Sequence, residues 1–300
     1  MNLLFSAFLG LIQGLTEFLP ISSSGHLVIF RELFGFDGTY AGGLFFDTLL
    51  HIGTLISVFI VFHKDIKELI VEFFGLIRDI IKRRKNPIEG KPYRRMLIML
   101  VISTLPMFLL VPFISTIEAV FFSNLLTVGI ALLVTGTFLF LSSKLKQGQF
   151  DANNAKFSSA FVVGIVQAVA AIFPGISRSG STIVAGEAMG FTRKFAAKFS
   201  FLMSIIAILG ATIVQTPDAL RNCCSYFDVN IMIDNLCHYC GEMVISNSPL
   251  FYIVGMVVAA IVGIIAIKYM LRLIDKGKFH YFAFYCWAVG LFAIIASIVM

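Results

Sequence analysis

The chain alternates long apolar runs with short charged stretches. Residues 98–113, 125–141, 199–214, 252–267 and 282–299 are almost free of charge, and each approaches the length that crosses roughly 30 Å of hydrocarbon. Extended to their polar borders, these runs and one near the N-terminal side predict six full spans, roughly at 44–63, 95–115, 121–142, 195–215, 250–271 and 280–299. Two further segments, about 3–33 and 157–190, are apolar but interrupted midway by Pro, Gly and Ser. Broken backbone at membrane depth is tolerated only where protein or a polar cavity surrounds it. Both segments therefore predict re-entrant helix–loop–helix hairpins, and the fold class is an all-α integral membrane protein.

Composition agrees: 58% of the 300 residues are hydrophobic and 13% charged, with a mean hydropathy of +0.93, whereas soluble domains carry about a quarter charged residues. A net charge of +6 raises the question of nucleic acid, but the basic residues sit where cytoplasmic loops are expected. Ten Lys/Arg lie between Lys64 and Arg95, including the "KRRK" at 82–85, and that stretch reads as a cytoplasmic loop bordering anionic lipid. Lys144, Lys146 and Lys156, then Arg193, Lys194 and Lys198, then Arg272, Lys276 and Lys278 fall on the same side under one assignment of the spans. The first basic residue is Arg31, so a cleaved signal peptide with a basic leading region is not expected.

The same assignment puts 216–249 outside, with Cys223, Cys224, Cys237 and Cys240. An oxidising exterior permits disulfides among them. Zinc at "CHYC" and free thiols are the competing readings, adjacent Cys223–Cys224 being poor zinc spacing. Cys286, within the last span, reads as a packing residue.

An internal repeat brings the polar residues together. "GLIQGLTEFLPISSSGHL" (10–27) matches "GIVQAVAAIFPGISRSGST" (164–182) with one residue inserted after the proline. Gly10 pairs with Gly164, Gln13 with Gln167, Pro20 with Pro174, Ser22 with Ser177, Ser24 with Ser179 and Gly25 with Gly180. Each hairpin precedes three spans, so residues 1–142 and 157–300 are expected to be inverted-topology repeats of a single membrane domain. Broken helices in such repeats meet near the midplane, at the interface between copies. The first copy has Glu17 and His26 where the second has Ala171 and Ser181, and the second has Arg178 where the first has Ser23. Ionisable groups at this depth usually mark function, although Glu17 and Arg178 could also pair only to hold the hairpins together.

The second tip, with Gly175, Ser177, Arg178, Ser179, Gly180 and Thr182, has the makings of an anion cradle. Its glycines let backbone amides approach a ligand, a half-helix starts there, and arginine binds phosphate bidentately. The first tip supplies hydroxyls at Ser22, Ser23 and Ser24 and an imidazole at His26 that can move protons near neutral pH. Gln13 and Glu17, four apart on one helical face, could hold Mg²⁺ or Ca²⁺ through oxygen once an anionic substrate adds its own ligands.

These residues closely resemble the undecaprenyl-diphosphate phosphatase family, membrane enzymes associated with bacitracin resistance. The first family signature reads here Gln13, Glu17, Phe18–Pro20, Ser22–Ser23 and Gly25–His26; the second reads Pro174–Gly175, Ser177–Gly180 and Thr182; "FDTLLHIGTL" (46–55) is a further family segment. The resemblance covers nearly the whole chain. It implies hydrolysis of the C55 polyprenyl diphosphate to the monophosphate, a divalent-cation requirement, and a bacterial cytoplasmic (inner) membrane location with the active site open to the outer face. Partners are then the lipid substrate and the bilayer rather than nucleic acid, with a homodimer left open. Carried over by position, Glu17, Ser23, His26 and Arg178 are the catalytic residues, with Ser22, Ser24, Gly175, Ser177, Ser179, Gly180 and Thr182 around the diphosphate. Gln at position 13 weakens any scheme that needs two metal-binding carboxylates on this helix.

The expected reaction has Ser23 attack the terminal phosphorus, with Glu17 or His26 managing protons; direct attack by water, with Ser23 a ligand, is the alternative. A transporter or lipid flippase is the rival from another class, since inverted repeats and broken helices are transporter features. Asp47 and His51, one turn apart, read either as partners of the site or as an interfacial polar pair. Glu187 is a candidate in the second half-helix, while His63, His238 and His280 border spans and loops.

Overall fold

The computed structural model describes residues 3–34, 43–110, 125–225 and 249–299. Among them every regular element is helical: α1 (Leu3–Phe18), α2 (Ser23–Leu33), α3 (Gly43–Val61), α4 (His63–Ile81), α5 (Pro92–Leu110), α6 (Leu125–Ser142), α7 (Phe157–Ile172), α8 (Arg178–Ala188), α9 (Arg193–Ser225), α10 (Pro249–Asp275) and α11 (Tyr281–Val299). Five of these, α5, α6, α9, α10 and α11, are long and apolar enough to cross a membrane, and the count is six if the pair α3–α4, bent by 83° at its break, is one span. The chain is an all-α, multi-pass integral membrane protein. Cys237 and Cys240 lie outside the described residues, as do the side chains of Cys223 and Cys224.

Helices approach one another through small residues, as expected where lipid offers no hydrophobic drive to pack. A Cβ on Gly10 of α1 would lie 2.4 Å from the Gly255 carbonyl oxygen of α10. A Cβ on Gly164 of α7 would lie 2.3 Å from the Ser103 carbonyl oxygen of α5. The first broken segment is thus seated on a span from the far end of the chain, and the second on a span from the near end. Helices α6 and α11 pack together in the same way, with Gly129 against the Gly290 carbonyl. Between these pairs lies an apolar core that includes Phe18, Val58, Met99, Ile183, Phe199, Leu202 and Ile267.

The stretch expected to be a loop between Lys64 and Arg95 contains a helix. In α4, Ile66, Leu69, Ile70, Phe73, Phe74, Ile77, Ile80 and Ile81 recur at three- and four-residue spacing, which is the period of an amphipathic helix. The ten Lys and Arg between Lys64 and Arg95 mask that period in the sequence. Ile70, Phe74, Ile80 and Ile81 are exposed, and α4 leaves the axis of α3 at 83°, the geometry that an amphipathic helix lying on a membrane surface would have. The other face is tied down. Arg94, buried at the start of α5, donates to Asp79 (2.8 Å) and Glu72 (2.8 Å), and Asp65 accepts from Tyr93 (2.9 Å) and from Lys198 of α9 (2.8 Å). The hydrogen bond from Arg94, with Lys91 and Arg84 nearby, holds the Asp79 carboxyl down at about 2.

Candidate active site

Both broken segments turn by the same device. Helix α1 ends at Phe18 because Pro20 has no amide to continue the ladder. The Ser22 hydroxyl then accepts from the Gly25 amide (3.3 Å) and caps α2. In the second segment Pro174 follows α7, and the Ser177 hydroxyl accepts from the Gly180 amide (3.1 Å) to cap α8. Such caps satisfy amides that a helix start otherwise leaves unpaired. The turns differ in where they place the left-handed residue: Gly175 at φ +95° in the second, but Ser22 at φ +68° in the first. A non-glycine residue held there costs of order 1–3 kcal/mol.

The two tips touch. A Cβ on Gly25 would lie 3.0 Å from Gly175 Cα, and one on Gly180 would lie 3.0 Å from Pro20 Cβ. Ser179 Oγ donates to the carbonyl oxygens of Glu17 (3.3 Å) and Leu19 (3.4 Å). Thr135 of α6 braces the second tip from behind, its hydroxyl donating to the Gly175 carbonyl (3.1 Å) and accepting from the Ser177 amide (3.1 Å). Thr182 donates to the Arg178 carbonyl (2.8 Å) and shares a 2.7 Å hydrogen bond with Ser200 of α9.

At the junction Glu17 is the hub, its side chain only 2% exposed. Its Oε1 pairs with the Arg178 guanidinium. Its Oε2 accepts from Ser23 Oγ (2.7 Å) and from Gln13 Nε2 (2.9 Å). His51 of α3 brings Nδ1 to 3.0 Å from Gln13 Nε2 and 3.6 Å from Glu17 Oε2. A carboxylate, a guanidinium, a hydroxyl, an amide and an imidazole from four helices thus meet at one buried point. Gln13 Oε1 is buried with no hydrogen-bond partner. Were the amide turned so that this oxygen and not Nε2 faced Glu17, the pair would suit a hard cation that takes its remaining oxygens from substrate and water, although no group of three or more His, Cys, Asp or Glu gathers for a metal among the described residues.

The hub opens on a cavity of about 690 Å³. Glu17, Ser22, Ser23, Ser24, His51, Ser177, Arg178 and Ser179 form its polar end, and Met107, Phe108, Ile206, Gly210 and Val214 are among its apolar walls. Of the residues expected at the site, Gln13, His26, Gly175, Gly180 and Thr182 stand behind this wall rather than on it. His26 has both ring nitrogens engaged, Nδ1 with the Ser22 carbonyl (2.7 Å) and Nε2 with the Tyr285 hydroxyl (2.8 Å). Asp47 pairs with Arg31 instead of the hub, and the nearest cation to Glu187 is Arg193 at 4.0 Å. His63 bonds the Ile60 carbonyl, away from the cavity.

The residues that sequence reasoning left out of the site are Thr135, Ser200 and Tyr285, while His51, read there as either a partner of the site or half of an interfacial pair, stands at the hub. His51 carried a signal, one turn from Asp47 at the head of a polar-studded span. A threonine or tyrosine inside an apolar run carries none, since its role comes from a partner 42 or 259 positions away.

Residues 6–292 match the family model described as bacitracin resistance protein BacA. An undecaprenyl-diphosphatase of Methanobrevibacter smithii is 39% identical over 300 residues, 99% of each chain. One of Halothermothrix orenii is 40% identical over 97% of this chain and 96% of its own, and one of Alkaliphilus metalliredigens is 37% identical over 97% of both. By the extent of this match and by identities of 37–40% over nearly the whole length of these relatives, the chain belongs to the bacitracin resistance protein BacA family.

Proposed function

We propose that this protein hydrolyses undecaprenyl diphosphate to undecaprenyl phosphate and inorganic phosphate, recycling the lipid carrier of cell-envelope polymer synthesis and so conferring bacitracin resistance. The observation that carries this reading is the 2.7 Å hydrogen bond from Ser23 Oγ to Glu17 Oε2. A hydroxyl bonded to a buried carboxylate, beside an arginine and above an apolar groove, is what phosphoryl transfer from an amphiphile needs. A transporter needs the binding groups but not the nucleophile and base.

Arg178 and the first-turn amides of α8 bind the diphosphate, at a helix N-terminus whose dipole favours anions. Glu17 takes the proton from Ser23 Oγ as that oxygen attacks the terminal phosphorus in line. The bond to the bridging oxygen breaks, and the polyprenyl monophosphate leaves along the apolar walls. Glu17 passes the Ser23 proton to the departing phosphate oxygen. Water then attacks the phosphoserine as Glu17 takes its proton, and the Ser23 Oγ–P bond breaks. Inorganic phosphate leaves, and Glu17 returns the proton to Ser23 Oγ. Positioning and charge neutralisation supply most of the acceleration. A divalent cation held by Glu17 and Gln13 would neutralise charge on the phosphate oxygens.

The proposal includes the arrangement of the halves. Reciprocal seating of α1 on α10 and α7 on α5 is what a pseudo-two-fold axis between inverted repeats would produce. The basic ends of α5 and α9 lie at Arg94–Arg95 and Arg193–Lys198, while the cavity is lined by Phe108 and Val214 farther along the same helices. With the positive end cytoplasmic, the cavity opens toward the outer face of the cytoplasmic membrane.

The test is phosphate release from the C55 diphosphate by detergent-purified protein, with Mg²⁺ and with EDTA, beside Ser23→Ala and Arg178→Ala. Metal-dependent release abolished by both substitutions supports the reading. Release that survives Ser23→Ala but not Arg178→Ala replaces Ser23 attack by direct attack of water. No release from folded wild type overturns the enzyme and calls for a flippase assay in liposomes. The groove is tested separately. A Cβ on Gly210 would meet nothing within 4 Å, so a side chain can start there without a clash and Gly210→Phe would fill the path of the tail, its melting midpoint in detergent establishing that the fold is kept. It is expected to lower kcat/KM for the C55 diphosphate about tenfold while sparing a C15 diphosphate.

A further inference from the structure

We propose that His26 serves the reaction as a latch and not as a proton carrier, and that Tyr285 of α11 is its partner. Together they fix the Ser22 carbonyl and so aim Ser23 at Glu17. The inference rests on the phosphatase reading, in which Ser23 Oγ is the attacking atom.

The protonation pattern follows from the partners. A carbonyl oxygen only accepts, so His26 Nδ1 carries the hydrogen that it donates to Ser22 (2.7 Å). Nε2 is then the lone-pair nitrogen and accepts from the Tyr285 hydroxyl (2.8 Å). The two rings are parallel, 7° apart, with centroids 5.6 Å apart. His26 is 3% exposed and is absent from the cavity wall. An imidazole so engaged has no free nitrogen to offer a reacting oxygen.

The loop it grips needs gripping. Ser22 is a buried serine at φ +68°, a conformation that only glycine enters freely. Its hydroxyl is committed to capping α2, and the next residue is Ser23. The neighbouring residue on α11 holds the same loop at a second point, the Cys286 thiol donating to the Pro20 carbonyl (3.7 Å). Helix α11, none of whose residues lines the cavity, thus holds residues 20–22 at two points, directly through Cys286 and through His26 by way of Tyr285. The Ser22 carbonyl also accepts from the His26 amide, but at a long 3.3 Å; with only that bond left, the turn relaxes toward ordinary backbone angles and Ser23 Oγ moves off Glu17. A displacement of about 1 Å at a reacting atom costs on the order of 10²-fold in rate.

Asparagine separates a latch from a proton carrier, because its Nδ2 occupies the place of the histidine Nδ1 and can donate to the Ser22 carbonyl but cannot shuttle protons. We expect His26→Ala to lower kcat about 100-fold with little change in KM, His26→Asn to recover to within about tenfold of wild type, and Tyr285→Phe to fall several-fold, again in kcat. Melting midpoints in detergent establish that each variant is folded. His26→Asn as inactive as His26→Ala in folded protein overturns the latch, and Tyr285→Phe with wild-type kcat removes Tyr285 from it. Silence from folded wild type would count against the phosphatase reading alone, and the latch is then judged by a readout that needs no turnover. In a Ser23→Cys background, alkylation of that thiol followed by peptide mass spectrometry should accelerate several-fold with His26→Ala and not with His26→Asn. Equal rates in the three proteins would overturn the latch whatever the activity.

Discussion

The two tips share a frame and divide the chemistry, and the clearest difference between them is the residue that makes the turn. In the second tip Gly175 takes φ +95°; in the first, which is one residue shorter, Ser22 takes φ +68°. Glycine enters that region without steric cost, so the second tip holds itself with one threonine behind it. The first tip is strained, and it draws on His26, Tyr285 and Cys286 to stay closed. The strained tip is the one that carries Ser23, the proposed nucleophile. Strain over-determined by its surroundings is a recurring way to hold a reactive side chain in one place.

The largest effects should come from removing what each tip contributes. Ser23→Ala and Arg178→Ala are each expected to lower kcat by about 10³-fold or more, as loss of a nucleophile or of the arginine that neutralises a transferring phosphoryl group does. If only one of them matters, the chemistry does not belong to both tips. A smaller effect sharpens the contrast between the turns. Gly175→Ala brings a Cβ to 2.7 Å from the Val128 carbonyl at a left-handed φ and should destabilise the fold by about 2 kcal/mol or more. Ser22→Gly should cost only a few tenths of a kcal/mol, because relief of strain offsets the weakened cap. Denaturation in detergent would measure both, and equal losses would show that the turns do not differ in strain. The smallest effect lies away from both tips. The Asp79 carboxyl is held at about 2 against an ordinary 3.8, chiefly by its hydrogen bond from Arg94. Its contribution to stability is therefore complete above about pH 4 and lost as the pH falls from there toward 2. Melting midpoints of wild type and Asp79→Asn should converge across that window and stay parallel above it. Convergence at higher pH would mean that another group is responsible.

Much of this was legible in the sequence, and the exceptions have physical causes. Span-length apolar runs announce themselves, because lipid leaves the backbone few alternatives to helix. The tips were legible because Pro, Gly and Ser are out of place at that depth, and because the second copy repeats the first in frame. Helix α4 was missed since ten basic residues in a short stretch outweigh a 3.6-residue period to any reader who counts charge first. His26 illustrates a different limit: an imidazole next to serines reads as a proton carrier, and only its partners on the Ser22 backbone and across the fold on α11 give it another role. Local pattern fixes which residues reach the tip, but not which way each nitrogen faces.

The right-angled turn into α4 has a consequence of its own. A bundle of upright helices can bob in a fluid film, with only its end charges to resist. A helix lying flat, greasy on one face and salt-bridged to the uprights on the other, would work as an outrigger that fixes the draught of the whole vessel. A catalyst whose substrate floats at one height needs that fixed waterline as much as it needs the shape of its pocket.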